Sequence, residues 1–145
     1  MRILASLLMI LFLLSCSEGP SIGDVQELTP FTWEVLDGGD FSIRDFANNR
    51  ASVLITMDPE CPMCANYSKT INDLVPKYSA DSIAFYGLFT SEFYSRAEIR
   101  GFGLKYGVEI PFVLDPNYEL ASFLGARVTP EVFVFDPKPR ISALL

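Results

Sequence analysis

Apolar positions in this chain alternate between short runs with strand character and longer stretches with helical spacing. Residues 52–57 form a short β-branched run bounded by Asp58-Pro59, which predicts a buried strand. Over residues 62 to about 79 the apolar side chains recur every three or four positions, which predicts an amphipathic helix. Residues 82–89 predict a second buried strand, so the order strand, helix, strand implies a right-handed parallel crossover.

A hairpin pattern precedes this unit. Residues 31–36 alternate between apolar and polar side chains, and a second short run covers residues 41–44. The four residues between these runs, Asp-Gly-Gly-Asp at positions 37–40, are a strong turn signal. An N-terminal β-hairpin is therefore predicted.

The residues after the second strand continue the alternation of helix and strand. A helix is predicted to stop near Gly107, a short strand to cover residues 112–115, a small helix to end at Gly125 and a last strand to span residues 131–135. Pro76, late in the first long helix, is expected to kink or end it. The fold class predicted from this order is α/β.

Composition limits the chemistry that the chain can perform. With 145 residues, half of them hydrophobic, the chain has room for one domain with a substantial core. It has no histidine, which excludes Ser-His and Cys-His catalysis and histidine metal sites. The net charge is −7 and no run of Lys or Arg occurs, so nucleic acid is not an expected partner.

The first fifteen residues predict a secretion signal. Arg2 precedes an apolar run over residues 3–14 that is too short to be a comfortable membrane span. The run ends in Leu-Leu-Ser-Cys at positions 13–16, which resembles the lipobox of bacterial lipoproteins. That resemblance implies acylation of Cys16 and anchoring to a membrane through lipid, with residues 16–30 as a tether and residues 31–145 as the domain. An ordinary cleavable signal with a chance cysteine and an uncleaved anchor are the alternatives.

Two cysteines follow the first buried strand, and their spacing suits redox chemistry. Pro62 fits the first helical position, so Cys61 is expected at or beside the N-cap, where backbone N–H groups and the helix dipole favour a thiolate. Cys64 lies one turn further on, on the face toward the sheet, and suits a buried resolving role. Residues three apart on a helix approach the Cα separation of about 5.5 Å that a disulfide prefers. A reversible disulfide between a reactive Cys61 and a resolving Cys64 is predicted.

A structural disulfide and a zinc site are the rivals to a redox pair, and both fit the sequence less well. A structural disulfide would close too small a loop to stabilise the fold by chain entropy. A zinc site would lack ligands, because the chain has no second cysteine pair and no histidine. Two core cysteines brought together by chance remain an alternative. No metal and no cofactor are expected.

These segments together resemble the thioredoxin-like redoxins of the bacterial envelope. The resemblance rests on the strand ending at Met57, Cys-Pro-Met-Cys at positions 61–64, Phe-Val-Leu-Asp at positions 112–115, and Thr129-Pro130 before the last strand. It implies a central mixed sheet flanked by helices. It also implies that Pro130 is a cis-proline beside the thiols with a catalytic role, and that the backbone of Thr129 pairs with a substrate strand.

The chain departs from related families at three places. Peroxiredoxins place Thr three residues before the reactive Cys, whereas this chain has Asp58, which disfavours peroxide reduction. Copper-delivering relatives use a wider cysteine gap and a distant histidine. Redoxins usually continue after the cis-proline strand with a further strand and a helix, whereas residues 136–145 contain two prolines unsuited to a paired strand. We therefore expect the C-terminal strand and helix to be missing or truncated, which would leave residues 132–135 as a sheet edge.

The function predicted is thiol-disulfide exchange in the cell envelope. The expected partners are protein dithiols or disulfides and an upstream envelope redox protein, with the domain facing the periplasm and tethered by lipid at Cys16. The alternative is a binding module that holds copper(I) between the thiolates with help from Met63, or that offers a groove to an envelope partner.

Overall fold

The structure is a computed structural model that describes residues 31–137 and 141–144. The predicted signal peptide over residues 1–15, the tether over residues 16–30 and the predicted lipidation site Cys16 lie outside the described residues. Their assignments stay predictions.

Seven strands form one mixed sheet. They are β1 (Trp33–Val35), β2 (Asp40–Phe41), β3 (Ala51–Met57), β4 (Ile83–Phe89), β5 (Phe112–Leu114), β6 (Val132–Phe135) and β7 (Ile141–Leu144). The helices of the described residues are α1 (Pro62–Ser79), α2 (Arg96–Tyr106), α3 (Glu119–Leu124) and a 3-10 helix (Ile43–Asn48). The strand order is β2-β1-β5-β4-β3-β6-β7.

The centre of the sheet is parallel and its flanks are antiparallel. β3 pairs in parallel with β4, and β4 with β5, while β1, β6 and β7 pair antiparallel with their neighbours. The carboxyl ends of β3, β4 and β5 therefore lie at one edge of the sheet, where ligand and active sites of such sheets are usually found. The predicted α/β class, central mixed sheet and N-terminal β-hairpin are confirmed.

Side chains of the central strands alternate between two apolar clusters on opposite faces of the sheet. Leu54 and Leu88 pack with the 3-10 helix and α3. Met57 and Phe89 pack with α1 and α2. Burial on both faces explains why β3 and β4 are mainly apolar rather than alternating.

The first long helix continues past Pro76. Of the two outcomes predicted for this proline, a kink or an end of the helix, the end does not occur there. α1 continues to Ser79, whose hydroxyl donates a hydrogen bond of 3.0 Å to the Pro76 carbonyl. Only one turn lies beyond the proline, and the partly buried Tyr78 in that turn packs against the apolar cluster. This packing holds the last turn although Pro76 donates no backbone hydrogen bond.

The expectation of a missing C-terminal strand was wrong. β7 pairs antiparallel with the whole of β6, from Val132 opposite Leu144 to Phe135 opposite Ile141, so β6 is not a sheet edge. The two prolines stand at positions 137 and 139, before β7 begins, and therefore remove no donor from the paired strand. The expected absence of a covering helix stays a prediction.

Candidate active site

A tight turn at the end of β3 positions Cys61. The Asp58 carboxylate accepts a hydrogen bond of 2.7 Å from the Glu60 N–H, and the Asp58 carbonyl accepts one of 3.2 Å from the Cys61 N–H. Cys61 is the N-cap of α1 and Pro62 stands at its start. The predicted position of Cys61 is confirmed.

The Cys61 sulfur lies among hydrogen-bonding groups. Its Sγ accepts a hydrogen bond of 3.4 Å from the Cys64 N–H, and in the thiol form it donates one of 3.2 Å to the Thr129 carbonyl. Burial raises the pKa of Cys61, but hydrogen bonds from the Cys64 N–H, the Cys64 thiol, the Thr129 hydroxyl and the Met63 N–H outweigh it. The net effect is a lowered pKa, in the direction that the helix N-terminus predicts.

Cys64 has the opposite environment. It is fully buried in the apolar cluster between the sheet, α1 and α2. Burial raises its pKa to about 12; the Cys61 thiolate and the Asp58 charge act in the same direction, and a backbone hydrogen bond from Asp58 acts against them. Cys61 and Cys64 are both free thiols in this structure, and the opposite shifts of their pKa values make Cys61 the sulfur that loses its proton first.

The loop that joins α3 to β6 completes the site. The Thr129–Pro130 peptide bond is cis, as the resemblance implies. This loop brings the Thr129 carbonyl and hydroxyl to the Cys61 sulfur. The structure thus brings together Cys61, Cys64, Thr129 and Pro130; the roles assigned to them stay predictions.

Tyr94 is a residue near the site that sequence reasoning did not identify. Its hydroxyl donates a hydrogen bond of 3.3 Å to the Glu60 carboxylate. Burial raises the pKa of Tyr94 to about 12, and the carboxylates of Asp58 and Glu60 act in the same direction. Tyr94 lies in the connection between β4 and α2, where no motif or periodicity marks it.

A groove of about 380 Å³ lies at the carboxyl ends of β4 and β5 and shares Tyr94 with the site. Trp33, Phe89, Arg96 and Asp115 are among its lining residues. Asp115 is buried and its carboxylate accepts hydrogen bonds of 2.9 Å from the Glu119 and Ala121 N–H groups, so it holds the start of α3. Exposed apolar side chains lie next in sequence to the reactive groups: Met63 is 49% exposed and Val128 is 60% exposed.

Metal binding finds no further support here. Among residues 31–137 and 141–144, no three His, Cys, Asp or Glu side chains form a group that could hold a metal ion. The copper(I) alternative, with the two thiols and Met63 as ligands, stays a prediction. In the same part of the chain, no helix combines the length and apolar character that crossing a membrane requires.

Comparison with known proteins gives a family and a fold. The model of the AhpC/TSA family matches residues 25–144. No curated protein shows a significant match to the sequence.

Three solved structures illustrate the fold. MTB DsbF, determined in mixed oxidised and reduced forms, has a TM-score of 0.72 at 20% identity, covering 83% of this chain and 86% of that one. A secreted Mycobacterium tuberculosis disulfide oxidoreductase, homologous to E. coli DsbE, has a TM-score of 0.71 at 17% identity, with coverage of 81% and 84%. The thioredoxin domain of a thiol-disulfide oxidoreductase from Bacteroides vulgatus has a TM-score of 0.71 at 16% identity, with coverage of 86% and 88%. The thioredoxin-like fold is confirmed.

Proposed function

Because this chain belongs to the AhpC/TSA family, we propose that it is a thiol-disulfide oxidoreductase that exchanges its Cys61–Cys64 pair with protein substrates. The observation that carries the proposal is the contrast between the two sulfurs. Cys61 is partly exposed with a lowered pKa, whereas Cys64 is buried with a pKa raised to about 12. A nucleophile and a protected resolving thiol need these two environments.

In the reducing direction the reaction has two steps. The Cys61 thiolate attacks one sulfur of a substrate disulfide, forming a mixed disulfide and releasing the other substrate sulfur as a thiolate. The Cys64 sulfur then attacks Cys61, which releases the second substrate thiolate and closes the Cys61–Cys64 disulfide. The substrate gains two electrons and the pair loses two; the oxidising direction is the reverse of these steps.

The first step makes the second easier. The Cys61 thiolate is one of the groups that raise the pKa of Cys64, and its charge disappears once Cys61 is in the mixed disulfide. Cys64 then loses its proton more readily. Asp58, whose charge acts on the pKa of Cys64, is the candidate acceptor, directly or through water, and the exposed Glu60 is a second candidate.

The cis-proline loop and the surface around it suit a protein substrate. The Thr129 backbone next to the Cys61 sulfur offers an edge on which an extended substrate segment can pair. The exposed Met63, next in sequence to Cys64, and Val128, next to Thr129, offer apolar contact to such a substrate. We propose Pro130 as the residue that shapes this edge and Thr129 as the residue that binds substrate.

The cell envelope is the proposed location. The predicted signal over residues 1–15 and the predicted lipidation of Cys16 support it, and one solved structure of this fold is of a secreted disulfide oxidoreductase. In an oxidising compartment without a glutathione buffer, a dedicated redox protein must restore the pair after each turnover.

Alkylation tests the assignment of the two sulfurs. The reduced protein is treated with iodoacetamide near pH 7, and the labelled cysteine is identified by mass spectrometry. Cys61 is expected to react first, and preferential labelling of Cys64 would refute the assignment.

Exchange with a protein substrate tests the function itself. The wild-type protein is expected to reduce or oxidise a disulfide-containing protein, and Cys61→Ser to lose the activity completely. Cys64→Ser is expected to accumulate the mixed disulfide. A reduction potential near thioredoxin's roughly −270 mV would assign a reductant and one near about −120 mV an oxidant. Absence of exchange in both directions would disprove the proposal.

A further inference from the structure

One buried hydroxyl ties β3 to the loop that carries the cis-proline. Thr56 is 1% exposed, and its Oγ1 donates a hydrogen bond of 2.9 Å to the Val128 carbonyl. The same Oγ1 accepts a hydrogen bond of 2.8 Å from the Glu131 N–H. The Thr56 backbone N–H donates a further bond of 2.9 Å to the Glu131 carbonyl.

These bonds hold the loop on both sides of the Thr129–Pro130 bond. Val128 precedes that bond and Glu131 follows it, so the single hydroxyl spans the four residues 128–131. Pro130 has no N–H with which the loop could be tied at its centre. The Glu131 carboxylate adds a bond within the loop, because it accepts a hydrogen bond of 2.8 Å from the Arg127 N–H.

The hydroxyl, rather than the shape of the side chain, distinguishes Thr56 from its neighbours in β3. Its strand neighbours Ile55 and Met57 are buried and apolar, and valine would match threonine in shape. A buried hydroxyl is retained at low cost only where it is fully hydrogen-bonded, and both side-chain partners here are main-chain groups of one loop. The loop in turn presents the Thr129 carbonyl 3.2 Å from the Cys61 sulfur.

We propose that Thr56 is a positioning residue for the exchange reaction. Its hydroxyl sets where the Thr129 carbonyl and hydroxyl stand relative to the Cys61 sulfur, and thereby the backbone edge on which a protein substrate pairs. This inference rests on the proposed function for its substrate, but its effect on the Cys61 thiol is independent of turnover.

The test compares Thr56→Val, which removes the hydroxyl and keeps the shape, with Thr56→Ser, which keeps the hydroxyl. In Thr56→Val we expect KM for a protein substrate to rise about tenfold, as for the loss of one set of buried hydrogen bonds, while kcat stays within about twofold. The pH profile of Cys61 alkylation is expected to move to higher pH, because the Thr129 hydroxyl no longer supports the thiolate. Thr56→Ser is expected to restore both quantities.

Each outcome of this test decides the inference. A Thr56→Val protein that is less stable but keeps the wild-type KM and alkylation profile would make Thr56 a purely structural residue. If Thr56→Val does not fold, Thr56→Ala carries the same expectations without adding a methyl group, and failure of both to fold would also overturn the inference. If the wild-type protein shows no exchange, the proposed function fails, and the alkylation profile still tests Thr56.

Discussion

Cys61 and Cys64 carry the same side chain one helical turn apart, and their surroundings shift their pKa values in opposite directions. The N-terminal N–H groups of α1 and the Thr129 hydroxyl stabilise the anion of Cys61. Cys64 points into the apolar cluster, where a charged sulfur is poorly solvated. The proposed division between nucleophile and resolving thiol therefore follows from position on the helix.

The raised pKa of Cys64 predicts how the stability of the reduced protein depends on pH. The folded state holds the Cys64 proton more tightly than the unfolded state, so this contribution is complete below the ordinary pKa of 9.0 and is lost as pH rises toward 12. We expect the free energy of unfolding of the reduced protein to fall over this window more steeply in wild type than in Cys64→Ala. Urea denaturation under reducing conditions at a series of pH values measures it, and parallel profiles for the two proteins would contradict the prediction.

The Thr129 hydroxyl predicts a second pH effect, on reactivity. Thr129→Val keeps the shape of the side chain and removes a hydrogen bond that lowers the pKa of Cys61. The apparent pKa from the rate of Cys61 alkylation is expected to rise in Thr129→Val and to stay near the wild-type value in Thr129→Ser. An unchanged pKa in the valine variant would show that the backbone N–H groups of α1 suffice.

At the scale of elements, α2 contains two glycines that differ in the space around them. A Cβ at Gly103 would lie 2.8 Å from the Phe112 ring, which is itself buried, whereas a Cβ at Gly101 would meet nothing within 4 Å. Gly103 therefore allows α2 to approach β5 closely, and Gly101 has no such role.

These two positions form a matched pair of substitutions. Gly103→Ala is expected to destabilise the fold, because overpacking of about 1–3 kcal/mol outweighs the gain in helix propensity of about 0.5–1 kcal/mol. Gly101→Ala is expected to gain that propensity alone. Thermal unfolding of both variants is the measurement, and a stabilised Gly103→Ala would show that Phe112 moves aside at little cost.

The elements that the sequence predicted well are those with a local signal. The periodicity of α1, the glycines that end α2 and α3, and the turn between β1 and β2 are all encoded within a few residues. β7 was not predicted because two nearby prolines are unsuited to a paired strand, although they precede β7 in the sequence. Thr56 and Tyr94 gave no signal, since their partners lie 72 and 34 residues away and only the folded chain brings them together.

At the scale of the whole molecule, β7 covers a backbone edge of β6 that would otherwise be exposed. It supplies backbone partners along all of β6, the strand that follows the cis-proline loop. Removal of residues 141–145 is expected to lower the Tm and to promote self-association through the uncovered strand. Removal of Leu145 alone is the control, because it leaves β7 intact. Calorimetry and light scattering measure the two effects, and an unchanged Tm with monomeric protein would contradict the prediction.

The complete burial of Cys64 also affects how the protein survives oxidative injury. A sulfenic acid formed on the partly exposed Cys61 would be attacked by the buried Cys64 sulfur. This attack releases water and forms the Cys61–Cys64 disulfide. We expect mass spectrometry after mild hydrogen peroxide treatment to find that disulfide in wild type and sulfinic acid on Cys61 in Cys64→Ala. Sulfinic acid in the wild-type protein would refute this. A lesion that would otherwise be permanent is thus turned into a state that any reductant of the pair can reverse.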